Sequence, residues 1–288
     1  MMLRTSLACL SALALGACAT AQPTLAPNEQ AQAILEAPSP TPPKPDRRSL
    51  IQSIVASNVR LEFRDGEALK RTASGVVVGT EATPTGSVSY VMTNAHALDD
   101  RGFENPRLIV AVERDGTEQT YLGEVLAVGS VPDMDLALLR VRGVALESVE
   151  LAEDEDLSLG EEVVVAASPF GRSLSLASGM VSRIDRRDGV AHMVKTDAPV
   201  GYGSSGGGIY SLTNGRLLGV VEGYRTAKMG FNVDAERYSF EVPMPGETFA
   251  APVTKVRTFL QSHGLSRLIP GAEAPPAAGT TQTARADG

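Results

Sequence analysis

Three short segments of this chain place a histidine, an aspartate and a serine in settings typical of nucleophilic catalysis. His96 ends the segment T-N-A-H, Asp135 opens D-L-A-L-L, and Ser205 is the third residue of G-S-S-G-G. A serine hydroxyl becomes an effective nucleophile beside a base, and that base needs a carboxylate to orient it. Imidazole suits the base because it accepts and returns a proton near neutral pH. These residue types therefore predict a catalytic triad for acyl transfer.

The order and surroundings of these residues resemble the trypsin-like serine proteases, and within them the bacterial HtrA-type branch. The chain order His, Asp, Ser is that of chymotrypsin. Members of the HtrA-type branch carry T-x-x-H after a strand, D-L-A-x-L in mid-chain and T-D ahead of G-x-S-G-G. This chain has all three patterns in that order, with Thr196-Asp197 ahead of the serine motif. The resemblance covers about residues 50 to 265, and three motifs in order are far more specific than any one alone.

The resemblance implies a role for each of these residues. Ser205 would be the nucleophile, His96 the general base and then the general acid, and Asp135 the group that orients the imidazole. The backbone amides of Gly203 and Ser205 would form the oxyanion hole. Asp133, two residues before Asp135, is the alternative carboxylate. The D-L-A-x-L pattern favours Asp135, because the apolar strand begins directly after it.

The substrate pocket is predicted from residues near the nucleophile. In the trypsin-like fold, the position six residues before the nucleophile lines the floor of the primary pocket, and here that is Pro199, flanked by Ala198 and Val200. None of these can pair with a basic substrate side chain, so small or medium aliphatic residues are expected there. Glu222 is the second pocket candidate. Its carboxylate is either a solvated strand end or a modulator of the cleft or of His96, and it would favour a basic substrate if it turned inward.

The residue before the nucleophile departs from the family pattern, which commonly has Asn or Asp there. In digestive relatives that aspartate receives a new N-terminal ammonium after proteolytic trimming. Ser204 carries no charge, so activation by that route is not expected. HtrA-type relatives switch by loop rearrangement instead, and the segment from Phe170 to Leu176 is the candidate loop.

The composition limits the classes of function. The chain has 288 residues, of which 43% are hydrophobic, and a formal net charge of −8. This acidic balance argues against a nucleic-acid partner, since no dominant basic field is available. The three histidines are scattered, and the two cysteines, Cys9 and Cys18, lie in or at the N-terminal leader. A metal site, a thiol catalyst and a cofactor are therefore not expected.

The N-terminus has the features of a bacterial export signal. Residues 1–17 combine a positive charge at Arg4 with an apolar stretch over 7–15 that is too short to span a membrane. The segment L-G-A-C resembles a lipobox, which predicts lipidation of Cys18. The alternative is ordinary cleavage after the small residues at 19–21, which would give a soluble periplasmic or secreted protein.

Four regions are predicted along the chain. They are a lipoprotein-type signal peptide over 1–17, a Pro-rich tether over 18–49, a trypsin-like protease domain over 50–266 and a disordered tail over 267–288. The prolines of the tether favour extended geometry, so it would be a semi-rigid spacer. No room is expected for the peptide-binding PDZ module that many HtrA-type proteases carry after the protease domain.

The region from residue 50 contains many short strand-like runs bounded by Gly, Asp, Asn and Pro, which is typical of an all-β barrel or sandwich. The resemblance implies two six-stranded antiparallel β-barrels of the chymotrypsin-like type, with His96 and Asp135 on the first and Ser205 on the second. A C-terminal helix is predicted over 254–263. The predicted strands are 53–56, 59–63, 75–79, 87–92, 108–112, 121–128, 136–141, 162–166, 179–184, 192–196, 208–211 and 217–221.

These features predict a serine endopeptidase of the bacterial cell envelope that cleaves protein or peptide substrates through an acyl-enzyme. A lipid anchor would hold it at a membrane, facing the periplasm. Two alternatives stay open. One is an esterase-like use of the same triad, and the other is a proteolytically silent binding, scaffold or chaperone-like protein on the same fold. The oligomeric state is not predicted.

Overall fold

The computed structural model describes residues 46–269, apart from 115, 234 and 235. The predicted signal peptide, Cys18, nearly all of the tether and all but the first residues of the predicted tail lie outside the described residues. Within the described residues, strands close into two antiparallel six-stranded barrels, followed by a helix. The predicted all-β class and two-barrel architecture are confirmed. No helix in the described part of the chain is long and apolar enough to cross a membrane.

The first barrel has the strand order β1-β2-β3-β6-β5-β4, and β4 closes it by pairing with β1. Neighbouring strands are joined mostly by short turns, as expected for antiparallel pairs. The strands are β1 Asn58–Asp65, β2 Ala68–Thr83, β3 Gly86–Thr93, β4 Pro106–Arg114, β5 Thr117–Val128 and β6 Ala137–Arg142.

The second barrel repeats this arrangement in the order β10-β11-β12-β9-β8-β7, and β7 closes it by pairing with β10. Its last two strands are much longer than the others. The strands are β7 Glu162–Ala167, β8 Ser175–Arg187, β9 Val190–Thr196, β10 Gly208–Ser211, β11 Leu217–Val233 and β12 Glu236–Pro252.

The middle of β2 shows how one strand serves two hydrophobic cores. Val77 packs with Leu61 and other residues inside the first barrel. Its neighbours Val76 and Val78 belong instead to the core that is shared with the second barrel. Successive side chains of a strand point to opposite faces, so this apolar run is buried on both sides. The shared core fixes the barrels against each other and thereby sets the cleft between them.

Helix α1, Arg47–Ala56, precedes the first barrel, so the predicted strand over 53–56 is wrong. Leu50 and Ile54 are buried one helical turn apart and join the shared core. The four-residue spacing of these two side chains is a helical repeat. A window as short as 53–56 does not reveal that repeat, because it contains only one of the two.

Helix α2, Val253–Ser262, closes the domain close to the predicted range 254–263. Its buried face contains Val256, Phe259 and Leu260, the side chains that the sequence pattern places together. Gly264 follows the helix with a φ of +70°, a conformation that glycine adopts without strain.

The hairpin of β11 and β12 extends beyond the barrel as a two-stranded ribbon. The sequence analysis ended β11 at residue 221 and did not predict β12, which contains Pro243 and Pro245 although proline is uncommon inside strands. Both prolines lie next to a shift in register between Tyr224 and Thr226, where the ladder tolerates them. One face of the ribbon is apolar and carries Ala227, Met229, Phe231, Tyr238, Phe240 and Val242.

Candidate active site

His96 and Asp135 form a closely bonded pair on the first barrel. The His96 Nδ1 atom lies 2.6 Å from Asp135 Oδ2, and the His96 backbone amide donates to Asp135 Oδ1 at 2.8 Å. The Asp135 residue is only 7% exposed, whereas the His96 side chain is 40% exposed. The carboxylate is therefore enclosed, and the imidazole faces the cleft. The alternative Asp133 is exposed on the preceding turn.

Two side chains that the sequence analysis did not single out hold this pair. Asn94 is fully buried, and its Nδ2 atom donates to the backbone carbonyl of Asp135 at 2.9 Å. The Arg71 guanidinium on β2 donates to the carbonyl of Asp99 at 2.6 Å and, over longer distances, to those of His96 and Ala97. These contacts satisfy carbonyls of the short turn that carries His96. Asn94 lies inside the T-N-A-H motif, but no sequence signal marks Arg71.

Ser205 lies in a tight loop between β9 and β10. The Ser204 amide donates to the Gly201 carbonyl at 3.0 Å, and the Ser204 hydroxyl accepts from the Gly201 amide at 3.2 Å. Gly206 has a φ of +85°, and a side chain there would meet the Ser74 carbonyl oxygen at 2.1 Å. Directly after the nucleophile the loop therefore accepts only glycine.

Ser74 on the first barrel ties this loop across the cleft. Its amide donates to the Ser205 carbonyl at 2.8 Å, and its hydroxyl donates to the Gly203 carbonyl at 2.8 Å. The same hydroxyl accepts from the Ser168 amide at 2.8 Å. Ser74 is 1% exposed, so these bonds are shielded from water. Sequence reasoning missed Ser74, because its partners lie 94 and 129 positions away.

The peptide bond between Tyr202 and Gly203 is oriented by Phe170, the first residue of the candidate loop for switching by rearrangement. The Tyr202 carbonyl accepts a hydrogen bond from the Phe170 amide at 2.5 Å. Because C=O and N–H of a trans peptide point in opposite directions, the Gly203 amide points away from Phe170. Within the described residues, neither this amide nor that of Ser205 donates a hydrogen bond. Neither amide is therefore occupied by another acceptor there, as the predicted oxyanion hole requires.

The Ser205 hydroxyl is hydrogen-bonded to strand β11 of its own barrel. It donates to the backbone carbonyl of Glu222 on β11 at 3.3 Å. In the described part of the chain it makes no hydrogen bond to His96, although both residues line one cleft of about 400 Å³. Catalytic hydrogen bonds are often loose in free enzymes and tighten when substrate binds.

Pro199 lines a separate pocket of about 380 Å³ beside the nucleophile loop. No charged side chain is among the described residues around it. Phe170, Tyr202 and Tyr224 form an aromatic edge to this pocket, with neighbouring ring centroids 6.4 and 5.8 Å apart. The pocket is therefore an apolar cavity. Its remaining lining residues are Val165, Ala167, Pro169, Ser175, Ala177, Val200, Gly201, Ser204 and Pro243.

Glu222 lines the catalytic cleft and does not line the apolar pocket. Its Oε1 atom is buried, and among the described residues it has no hydrogen-bond partner. Burial raises the pKa of Glu222 to about 7. The negative charge of Asp135 adds to this effect, whereas the positive charges of Lys255 and His96 oppose it. The sequence analysis singled out Glu222, but it did not predict that the carboxyl group is buried.

No group of three or more His, Cys, Asp or Glu side chains within the described ranges is placed to hold a metal ion. His192 is partly buried and His263 is exposed. The His263 Nδ1 atom lies 2.9 Å from the Phe259 carbonyl at the end of helix α2, so it has a structural role there.

A family model described as the trypsin-like peptidase domain matches residues 73–220, which is just over half of the chain. A probable periplasmic serine endoprotease, DegP-like, from Ectopseudomonas mendocina is 33% identical over 158 residues, covering 54% of this chain and 30% of that protein. A protein of the same description from Pseudomonas fulva is 29% identical over 235 residues, covering 73% and 46%. The chain thus spans less than half the length of these relatives.

Two solved structures have the same fold. A serine endoprotease from Yersinia pestis aligns with a TM-score of 0.56 at 19% identity, covering 80% of this chain and 68% of that one. The HtrA-type protease AlgW aligns with a TM-score of 0.54 at 20% identity, covering 75% and 63%. The predicted resemblance to HtrA-type proteases is confirmed.

Proposed function

Since the chain belongs to the trypsin-like peptidase family, we propose that it is a serine endopeptidase that hydrolyses peptide bonds in protein or peptide substrates. The observation that carries this proposal is the two-point attachment of His96 to the buried Asp135, facing the cleft that also contains Ser205. This attachment fixes the ring orientation and the tautomer that a general base needs.

Acylation begins when substrate occupies the cleft. The Ser205 hydroxyl turns from the Glu222 carbonyl towards His96, gives its proton to the imidazole and attacks the substrate carbonyl. Asp135 stabilises the imidazolium that forms, and the amides of Gly203 and Ser205 bind the oxyanion. His96 then protonates the leaving amine, which departs and leaves the acyl-enzyme on Ser205.

Deacylation repeats these steps with water. His96 removes a proton from the water molecule, and the resulting hydroxide attacks the acyl carbonyl. The same two amides bind the second oxyanion. Collapse of this intermediate returns the proton to Ser205 and releases the carboxylic acid product.

The test is labelling of the purified protein with a fluorophosphonate, followed by intact mass and casein hydrolysis. We expect one adduct per chain and measurable proteolysis. The Ser205→Ala variant should take no label and lose activity by about 10⁴-fold or more, since triad members act as one unit. A protein that takes no label would favour the silent binding or scaffold alternative, and retention of more than a few per cent of turnover by Ser205→Ala would remove Ser205 from the mechanism.

The apolar pocket beside Ser205 supports a preference for aliphatic side chains before the cleaved bond. A basic side chain would be buried there without a partner, which costs several kcal/mol. Discrimination among aliphatic residues would be about 1–3 kcal/mol per methylene. Cleavage-site profiling on a proteome-derived peptide library should show Val, Ala or Leu, and dominant cutting after Arg or Lys would contradict an apolar pocket. Such cutting would point to Glu222, and Glu222→Thr should then abolish it.

The location that we propose is the periplasmic side of a membrane, with Cys18 as a lipid anchor after the signal peptide over 1–17. The relatives are named periplasmic, which supports the compartment, and the lipobox supports the anchor. The several acyl chains of a bacterial lipoprotein bind a membrane firmly. Cell fractionation should find the wild type in the membrane and Cys18→Ser in the soluble periplasm. Equal solubility of both would contradict the anchor.

A further inference from the structure

The Glu222 side chain occupies an unusual position for a carboxyl group. Its backbone carbonyl holds the Ser205 hydroxyl, and its side chain lines the same cleft as the His96 imidazole. One carboxyl oxygen, Oε1, is excluded from water and has no hydrogen-bond partner among the described residues. A buried polar atom without a partner is destabilising, and this one belongs to a residue that lines the cleft in which the proposed reaction takes place.

Three charged groups from other elements act on Glu222. Lys255 lies on helix α2, His96 on the turn after β3, and Asp135 just ahead of β6. Lys255 and a protonated His96 favour the carboxylate, whereas Asp135 and burial favour the neutral acid. The opposing influences leave both forms accessible near neutral pH, with the pKa at about 7.

The charge state of Glu222 bears directly on the proposed reaction. Proton transfer from Ser205 turns His96 into an imidazolium, and within the described residues Asp135 is the one carboxylate bonded to it. A second carboxylate in the same partly buried cleft stabilises that positive charge further. The neutral acid has no such effect. The two charge states of Glu222 therefore differ in how well they support the transition state.

We propose that Glu222 is a positioning residue whose ionisation tunes His96, so that the carboxylate form is the more active enzyme and the neutral form the less active one. This inference rests on the proposed peptidase function. It adds the ionisation of Glu222 to the acid side of the pH–rate profile.

The decisive measurement is the pH dependence of kcat/KM for the wild type and Glu222→Gln on a chromogenic peptide ester or amide. The wild type should lose activity below neutrality more steeply than about one log unit per pH unit, because two protons reduce the rate. Glu222→Gln should follow about one log unit per pH unit and fall short of the wild type by on the order of tenfold at alkaline pH. Glu222→Asp should recover part of the steeper limb.

Glu150→Gln is the matched control, because Glu150 is an exposed carboxylate paired with Arg216 outside the cleft. It should keep the wild-type profile. A purely structural role for Glu222 would lower activity at every pH without changing the slope, and that result overturns the proposal. Circular dichroism and thermal unfolding of each variant show whether it is folded.

A readout that does not need turnover separates this inference from the proposed function. The side-chain carboxyl signal of Glu222 can be titrated by NMR in Ser205→Ala, with and without His96→Ala. Loss of the imidazole should raise the midpoint of the Glu222 titration, because the positive charge of His96 favours the carboxylate. An unchanged midpoint overturns the coupling even in an active protease. Absence of fluorophosphonate labelling in the wild type would instead overturn the peptidase function and, with it, this role.

Discussion

The two barrels hold their catalytic residues in different ways. On the first barrel, His96 and Asp135 are fixed by bonds made within that barrel, from Asn94 and Arg71. On the second barrel, the loop that carries Ser205 depends on Ser74, which belongs to the first barrel. The base is therefore positioned by one sheet alone, whereas the nucleophile is positioned only when both sheets are docked.

The segment next to the nucleophile also depends on a contact from the first barrel. Arg60 on β1 donates to the Gly171 carbonyl at 2.7 Å, one residue after Phe170, whose amide orients the peptide ahead of Gly203. Phe170 has a φ of +57° although it is not glycine, a conformation that is maintained only where surrounding contacts impose it. The nucleophile side is thus the part of the site that movement between the barrels can alter.

The largest effect is expected from Asp135→Asn, which acts within the first barrel. Asparagine keeps the size of the side chain but favours the wrong imidazole tautomer, so kcat should fall by about 10⁴-fold. Steady-state kinetics on a peptide substrate measures this, with Asp133→Asn as the matched control. Equal losses for both variants, or a loss confined to Asp133→Asn, would show that Asp135 is not the orienting carboxylate.

Ser74→Ala tests the dependence of the second barrel on the first. It removes the bond to the Gly203 carbonyl and leaves the buried Ser168 amide without a partner. We expect kcat to fall by roughly 10- to 100-fold, because the oxyanion donors lose their fixed position, and stability to fall by about 1–3 kcal/mol.

Ser89→Ala is the control for that experiment. The Ser89 hydroxyl is equally buried, donates to the Val144 carbonyl and accepts from the Leu146 amide, each at 2.9 Å, all within the first barrel and its exit loop. Ser89→Ala should lower the free energy of unfolding by a similar amount without lowering kcat of the folded protein. Equal losses of kcat in both variants would mean that general loosening, and not the contact across the cleft, limits activity.

Glu222 should make the stability of the wild type depend on pH. Its folded-state pKa lies above the ordinary value of 4.5, so the neutral acid favours folding, and this stability is lost as pH rises towards and through about 7. Allowing for partial exposure, the loss is about 2 kcal/mol. The free energy of unfolding in urea should be compared for Ser205→Ala with and without Glu222→Gln. The stability of the glutamine variant relative to its parent should increase between pH 4.5 and 8.5. A difference that is constant over this range would contradict the assignment.

The smallest effect is expected on the ribbon outside the second barrel. Phe240 is 53% exposed there, whereas Phe259 on helix α2 is fully buried. Phe240→Ala should change the free energy of unfolding by about 0.5 kcal/mol or less, and Phe259→Ala should lower it by about 3–5 kcal/mol. Denaturant unfolding compares the two directly. A large loss for Phe240→Ala would show that the apolar face of the ribbon is covered in solution.

Much of this architecture was predictable from the chain itself. Short strand runs with turn signals indicated an all-β fold, and the motif resemblance supplied the two barrels. Two elements differed from the prediction, and both differences have physical explanations. The window 53–56 does not show the helix, because Leu50, one turn before Ile54, lies outside it. Strand β12 was not predicted; its prolines Pro243 and Pro245 weaken the strand pattern, and the ladder accommodates them next to a register shift.

The sequence by itself determined which side chains carry chemistry: His96, Asp135 and Ser205 each lie in a short motif whose neighbours are local in the chain. Only the tertiary structure decided what holds and tunes them. The contact of Ser74 with Gly203 joins residues 129 positions apart, and the environment of Glu222 is formed by His96, Asp135 and Lys255 from separate elements. Such contacts exist only when both barrels have closed and docked, and a linear pattern carries no signal for residues that become neighbours in that way.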